Sequence, residues 1–292
     1  MPRANTSLLR QIWELTRDSV NAWLEHNASS LGASLAYYTL FSIAPILVIA
    51  VAVAGYVFGS QLAETQVLDQ MQGLIGNAGA EALRGLLASA EKSEARGLAA
   101  VVSVITLLIG ATSVFGELQK TLDQIWGAPE RDQTVAWWRL LRSRLLSVGL
   151  ILGVGFLLMV SLLVSAALAG FGIWLQTYMA QWSVILPALD LALSIALTTF
   201  LFAMIYKYVP RQSIAWSDVW IGGFVTAVLF TVGKALIGLY LGRSSVSSAY
   251  GAAGSVMVLL LWIYYSAQIF LLGAEFTHVF AYTRGSHSHE PR

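Results

Sequence analysis

Asp190 and Lys234 are formal charges set inside long apolar runs, and their chemistry would be ionic: a buried pair, or a polar step on a path through a bundle. Charge at the centre of a bilayer costs at least about 2.5–3.5 kcal/mol on insertion scales, so such residues are functional hypotheses by default. Counted along helices of opposite direction, Asp190 lies about six and Lys234 about seven residues from the same membrane surface. That is roughly 9–10 Å at 1.5 Å per residue. Equal depth and opposite sign suit a facing pair in the outer half of the bundle. The alternative is an outward-snorkelling Lys234, with Asp190 in an interfacial turn after Pro187.

Other polar residues gather where apolar runs end. Glu117, Lys120 and Asp123 recur at every third position after the second run, while Gln268 and Glu275 lie near the end of the last. With Lys207 and Arg211 they form either a polar mouth or the ordinary solvated ends of helices. Pro45, in Phe41-Ser-Ile-Ala-Pro45, removes a backbone donor and crowds the carbonyl of Phe41. A kink is expected there, with Ser42 placed to satisfy a freed carbonyl.

Soluble catalytic chemistry finds no residues to carry it. The histidines, His26, His278, His287 and His289, form no His-Glu-x-x-His or His-x-His-x-Asp-His run, and neither a Walker A loop nor a Gly-x-Ser-x-Gly elbow occurs. His287 and His289 read as part of a solvated tail. Without cysteine there is no thiol nucleophile, thiolate metal site or disulfide. No catalytic, cofactor-binding or metal-ligating residue is assigned, no cofactor is expected, and enzyme activity is disfavoured.

The elements that must position these side chains follow from composition. Of 292 residues, 57% are hydrophobic and 11% charged, against roughly 45–50% and about 25% in soluble domains. A soluble globular chain is excluded. Apolar runs of twenty residues or more point to helices rather than to a barrel of short alternating strands. A net charge of +1 gives no pull toward nucleic acid, and none is expected as a partner.

The fold predicted is all-α, an integral membrane bundle of six helices with short interfacial helices. The spans are placed at about 31–58, 97–116, 145–171, 184–206, 219–241 and 252–274, within a transmembrane domain at 31–281. The 45 uncharged residues between Arg144 and Asp190 are divided in the polar-aromatic stretch Gly172–Trp182. The first apolar run begins near residue 31 and is about 28 residues long, too long for a signal peptide, so it is expected to stay in the mature protein. Twelve of the 17 Lys and Arg fall on the side of both termini and four on the other, which puts both termini in the cytoplasm.

Flanking segments complete the layout. In residues 1–30, Ile12, Trp13, Thr16, Val20, Trp23 and Leu24 recur at helical spacing opposite Arg10, Glu14, Arg17, Asp18 and Glu25, as in a cytoplasmic surface helix. Trp137 and Trp138 with Arg139, Arg142 and Arg144 suit an interfacial anchor. The outer loop 59–96 reads as two short amphipathic helices broken at Gly73, Gly76 and Gly79, and residues 282–292 as a cytoplasmic tail. Gly149-x-x-x-Gly153 and Gly238-x-x-x-Gly242 fit close helix contacts, within a bundle or a homo-oligomer.

Three blocks carry a family resemblance. They are Ala33-Ser-Leu-Ala-Tyr-Tyr-Thr-Leu-Phe-Ser-Ile-Ala-Pro45; Tyr206-Lys-Tyr-Val-Pro-Arg211 with Trp216-Ser-Asp218, Gly222-Gly223 and Lys234; and Ala249-Tyr-Gly-Ala-Ala-Gly254 with Leu260-Leu-Trp-Ile-Tyr264 and Leu272-Gly-Ala-Glu275. In order and spacing they resemble the YihY/BrkB family of bacterial inner-membrane proteins, of the UPF0761 type, over about Trp23 to Ala281. The resemblance implies a six-helix inner-membrane protein with cytoplasmic ends and no settled activity. It associates the chain with serum resistance and envelope lipid export, and with an old ribonuclease label that the missing His and Asp cluster does not support. It marks Tyr37, Tyr38, Ser42, Pro45, Pro210, Lys234, Tyr250, Gly251, Trp262 and Glu275 as family-level positions.

The function expected is transporter-like, on an envelope lipid or amphipathic solute. A non-transporting scaffold or envelope assembly factor is the alternative, and a membrane-bound nuclease ranks third. Expected partners are membrane lipids, with a homo-oligomer or an envelope protein beside them.

Overall fold

The computed structural model describes residues 8–58, 113–128, 182–243 and 254–288, with four single positions between 65 and 85. All regular structure among the described residues is helical: α1 (Leu8–Glu25), α2 (Ala28–Phe58), α3 (residues 113–125), α4 (Trp182–Tyr208), α5 (Trp216–Arg243) and α6 (Gly254–Thr283). The third expected span, most of the second, the Trp137–Arg144 anchor and the outer loop as a unit lie outside the described residues.

Helix boundaries follow local chemistry. α2 runs unbroken through Pro45, so the proline does not end it. Between α1 and α2, Asn27 takes φ 51°, a left-handed conformation that its short polar side chain tolerates. α3 stops at Gly127, whose φ of 59° suits a residue without Cβ; the amide of Ala128 then reaches back to the Asp123 carbonyl at 2.8 Å. α4 and α5 match their expected spans to within three residues. α6 contains most of the expected span 252–274 and continues to Thr283, with Glu275 buried and His278 packed against Trp126.

Three helical stretches among the described residues are long and apolar enough to cross a membrane: Leu191–Tyr208, Trp216–Tyr240 and Val256–Thr283. The faces of α5 show the solvent for which they are built. Gly222, Gly223, Thr226, Ala227 and Gly233 are buried, whereas Ile221, Phe224, Val228, Val232 and Leu236 are exposed. Small residues inside and large apolar residues outside invert the pattern of a water-soluble helix and fit one whose outer face meets lipid.

The chain divides into two compact units. The first comprises Met1–Trp23, Leu122–Thr231 and Leu272–Arg292. In it α5 approaches α4 backbone to backbone: a Cβ at Gly223 would lie 2.8 Å from the Thr199 carbonyl oxygen. Arg284 Nη1 donates to Gln11 Oε1 at 3.0 Å, tying the end of α6 to α1. The exposed side of α1 carries Ile12, Trp13, Val20 and Leu24, the apolar face expected of a surface helix. The second unit comprises Leu24–Thr121 and Val232–Leu271. There α2 and α3 are joined by Ser42 and Ser113, whose hydroxyls are 2.9 Å apart, and α5 meets α6 where Gly233 lies against Tyr265 and Ile269.

Candidate functional site

In the first unit, α4, α5 and α6 each bury polar side chains. Tyr206, Thr226, Glu275 and Thr277 are all 0% exposed. Thr226 donates to the Gly222 carbonyl at 2.7 Å, which uses its one hydroxyl proton. The contact of 3.1 Å between the Tyr206 and Thr226 hydroxyls is therefore donated by Tyr206. Thr277 repeats the pattern on α6, donating to the Gly273 carbonyl at 2.7 Å.

The two motifs, Gly222-x-x-x-Thr226 and Gly273-x-x-x-Thr277, are reciprocal. A Cβ at Gly222 would overlap Thr277 Oγ1, and one at Gly273 would overlap Thr226 Oγ1. Each threonine thus occupies the notch of the opposing glycine, and each satisfies its hydroxyl on its own helix. Gly238 makes no such contact, since a Cβ there would meet nothing within 4 Å. Gly238 is on the exposed side of α5, so of the two settings expected for Gly238-x-x-x-Gly242 a contact inside the chain is not made at Gly238; here the close packing is made by glycine against threonine. Small-xxx-small spacing that admits threonine would have found it.

Charged groups at one end of this unit are held by specific partners. Asp123, half of an ion pair rather than a solvated helix end, accepts the Arg211 backbone N–H at 2.9 Å on one oxygen and its Nε at 3.2 Å on the other. Lys207 donates to the Ile214 carbonyl and lies 5.6 Å from the centroid of the Trp216 ring. Asp218, 1% exposed, accepts from Ser286 twice, from its amide at 3.1 Å and its hydroxyl at 2.6 Å. Because Ser286 spends its proton on Asp218, the 2.9 Å contact with His287 Nδ1 is donated by the ring. The tail at 284–288 is thus a docked hook, with Gly285 so close to Asp218 that a Cβ would lie 2.6 Å from Oδ1. His278 lies within α6, stacked edge-on against Trp126 at 5.2 Å and Tyr282 at 4.8 Å.

In the second unit, Glu117 accepts from Ser34 at 2.6 Å and sits 3.8 Å from an exposed Lys120. Gln268 Nε2 donates to the Ser29 carbonyl at 3.3 Å and fills the space over Gly32. Tyr37 and Tyr38 are exposed on α2 in an edge-to-face pair at 5.7 Å, with Phe41 beside Tyr37 at 4.8 Å. Lys234 is half-buried on α5. Asp190 is in α4 and Pro45 in α2, but their side chains lie outside those described, so the Asp190–Lys234 pairing stays an expectation. Among the described residues no three His, Asp or Glu side chains gather to hold a metal ion.

The comparisons with known proteins meet this geometry over almost the whole chain. The sequence model described as "Virulence factor BrkB" matches residues 19–292. The chain belongs to the BrkB family. Its similar relatives include the UPF0761 membrane protein of Teredinibacter turnerae, 30% identical over 279 residues, covering 92% of this chain and 59% of that protein. The UPF0761 membrane protein of Psychromonas ingrahamii is 29% identical over 252 residues, 83% of this chain and 79% of its own length. That of Ralstonia nicotianae is 29% identical over 283 residues, 92% of this chain and 60% of its own length. The chain therefore spans about six-tenths of two of these BrkB-family relatives. No solved structure matches. Membership of the BrkB family and the three apolar helices make this an integral membrane protein.

Proposed function

We propose that this BrkB-family protein is a multi-pass inner-membrane protein with six spans and cytoplasmic ends. Its transporter-like activity moves an envelope lipid or another amphipathic solute. The observation that carries the reading is Glu275, wholly buried eight residues before the end of a membrane-length helix. An ionisable group retained at that depth supports coupling to a proton or ion rather than a purely structural role. Binding and release alone would serve this activity, so it is not enzymatic; its partners are membrane lipids, with a second copy or an envelope protein beside them.

Reconstitution tests this directly. Wild-type protein in liposomes is assayed for lipid scrambling and solute uptake with and without an ion gradient, beside Glu275→Gln and Lys234→Ala. Activity in the wild type that falls at least about tenfold in Glu275→Gln supports the proposal. Inactivity of wild type under both conditions rejects it. One observation favours a second reading, a non-transporting scaffold: the reciprocal glycine and threonine notches of α5 and α6 make a tight, static contact.

A further inference from the structure

The turn between α4 and α5 fixes two cations beside exposed aromatics, and no part of the transport reading uses them. Lys207 gives one N–H to the Ile214 carbonyl and rests near the Trp216 ring, so its ammonium is held in place with two N–H groups to spare. Asp123 takes the backbone amide and Nε of Arg211, and among the described residues no protein group takes either Nη. Among the described residues Lys207 thus has no carboxylate partner, and Arg211 meets Asp123. Asp218 lies beneath the docked hook.

The surroundings select the kind of anion. Tyr208, Trp216 and Trp220 are all exposed, with Tyr208 and Trp216 edge to face at 6.1 Å. Amphipathic rings of this kind belong at headgroup level. Beyond Trp220 the exposed side of α5 continues as Ile221, Phe224 and Val228, an apolar track suited to an acyl chain. A free phosphate would use the cations and leave the rings and the track idle; a phospholipid would use all three.

We propose that the 207–216 turn binds the phosphate of an anionic phospholipid headgroup from the adjoining leaflet, with Lys207 and Arg211 as its donors and the acyl chain along α5. The proposal does not depend on transport. The full chain is reconstituted in phosphatidylcholine vesicles containing trace spin-labelled phosphatidylglycerol or spin-labelled phosphatidylcholine, and the motionally restricted fraction is read by electron paramagnetic resonance. Wild type should prefer phosphatidylglycerol by about three- to fivefold, the scale of one basic residue at a lipid surface. Lys207→Gln should bring the ratio close to one, and Arg10→Gln, which opens an exposed pair with Glu14, should leave it unchanged. Ser213→Glu alters only an exposed side chain next to Ile214 and should also abolish the preference, which covers the case of a misfolded Lys207 variant. A wild-type ratio of one, or a preference that survives both Lys207→Gln and Ser213→Glu, overturns the proposal.

Discussion

Tyr206 donates its hydroxyl proton to Thr226 across 3.1 Å, and Thr226 passes its own to the Gly222 carbonyl, all inside a contact with no exposed surface at either side chain. Removing the phenol oxygen leaves Thr226 bonded to its own helix and forfeits one buried bond. Tyr206→Phe should cost about 1 kcal/mol. Thr226→Val should cost more, and the double variant less than the sum, in a double-mutant cycle of unfolding in detergent. Strict additivity would show that the two hydroxyls do not interact.

Glycine notches make a sharper distinction. Gly222→Ala and Gly273→Ala each drive a methyl into a threonine, and overpacking of this kind costs about 1–3 kcal/mol. Gly238→Ala meets open space and should be neutral or stabilising by up to about 1 kcal/mol. Thermal unfolding of the three variants side by side checks the order.

The hook at 284–288 should loosen in Ser286→Ala. Two contacts to a carboxylate hold Ser286, one from its hydroxyl, and bonds to charged groups contribute about 1.5–3 kcal/mol. Limited tryptic cleavage after Arg284 should accelerate roughly tenfold or more in the variant, and in Asp218→Asn by a smaller factor. Equal rates in wild type and Ser286→Ala would mean that the tail is not docked.

Since the chain has no cysteine, single spin labels can map the faces of α5 without further engineering. Labels at Phe224, Val228 and Val232 should be accessible to oxygen and shielded from a water-soluble nickel reagent. A label at Ala227 should be shielded from both. Nickel accessibility at Val228 would place that face in water and contradict a lipid-facing surface.

Helices were easier to read in the residues than the contacts between them. Uninterrupted apolar runs located α4 and α5 closely, because length and absence of charge are local properties. Charge alone does not reveal the packing at the end of α6, where Glu275 is wholly buried and His278 is packed by rings. Asp123 with Arg211, 88 positions apart, and Asp218 with Ser286, 68 apart, depend on how helices meet, which no spacing within one helix encodes. The close contact of α5 with α6 uses glycine with threonine, a pairing that a search for glycine with glycine passes over. Gln268 meets the Ser29 carbonyl and Ser42 the Ser113 hydroxyl, partners that lie far away in sequence.

Two threonines seated in opposing notches also act as a register pin. Advancing α6 along α5 by one turn, 5.4 Å, would carry both threonines off their glycines and press side chain on side chain. At this contact the two helices are held in one register. A transport stroke of the kind proposed above would have to spare this contact, and a cross-link placed here between α5 and α6 should leave that stroke intact.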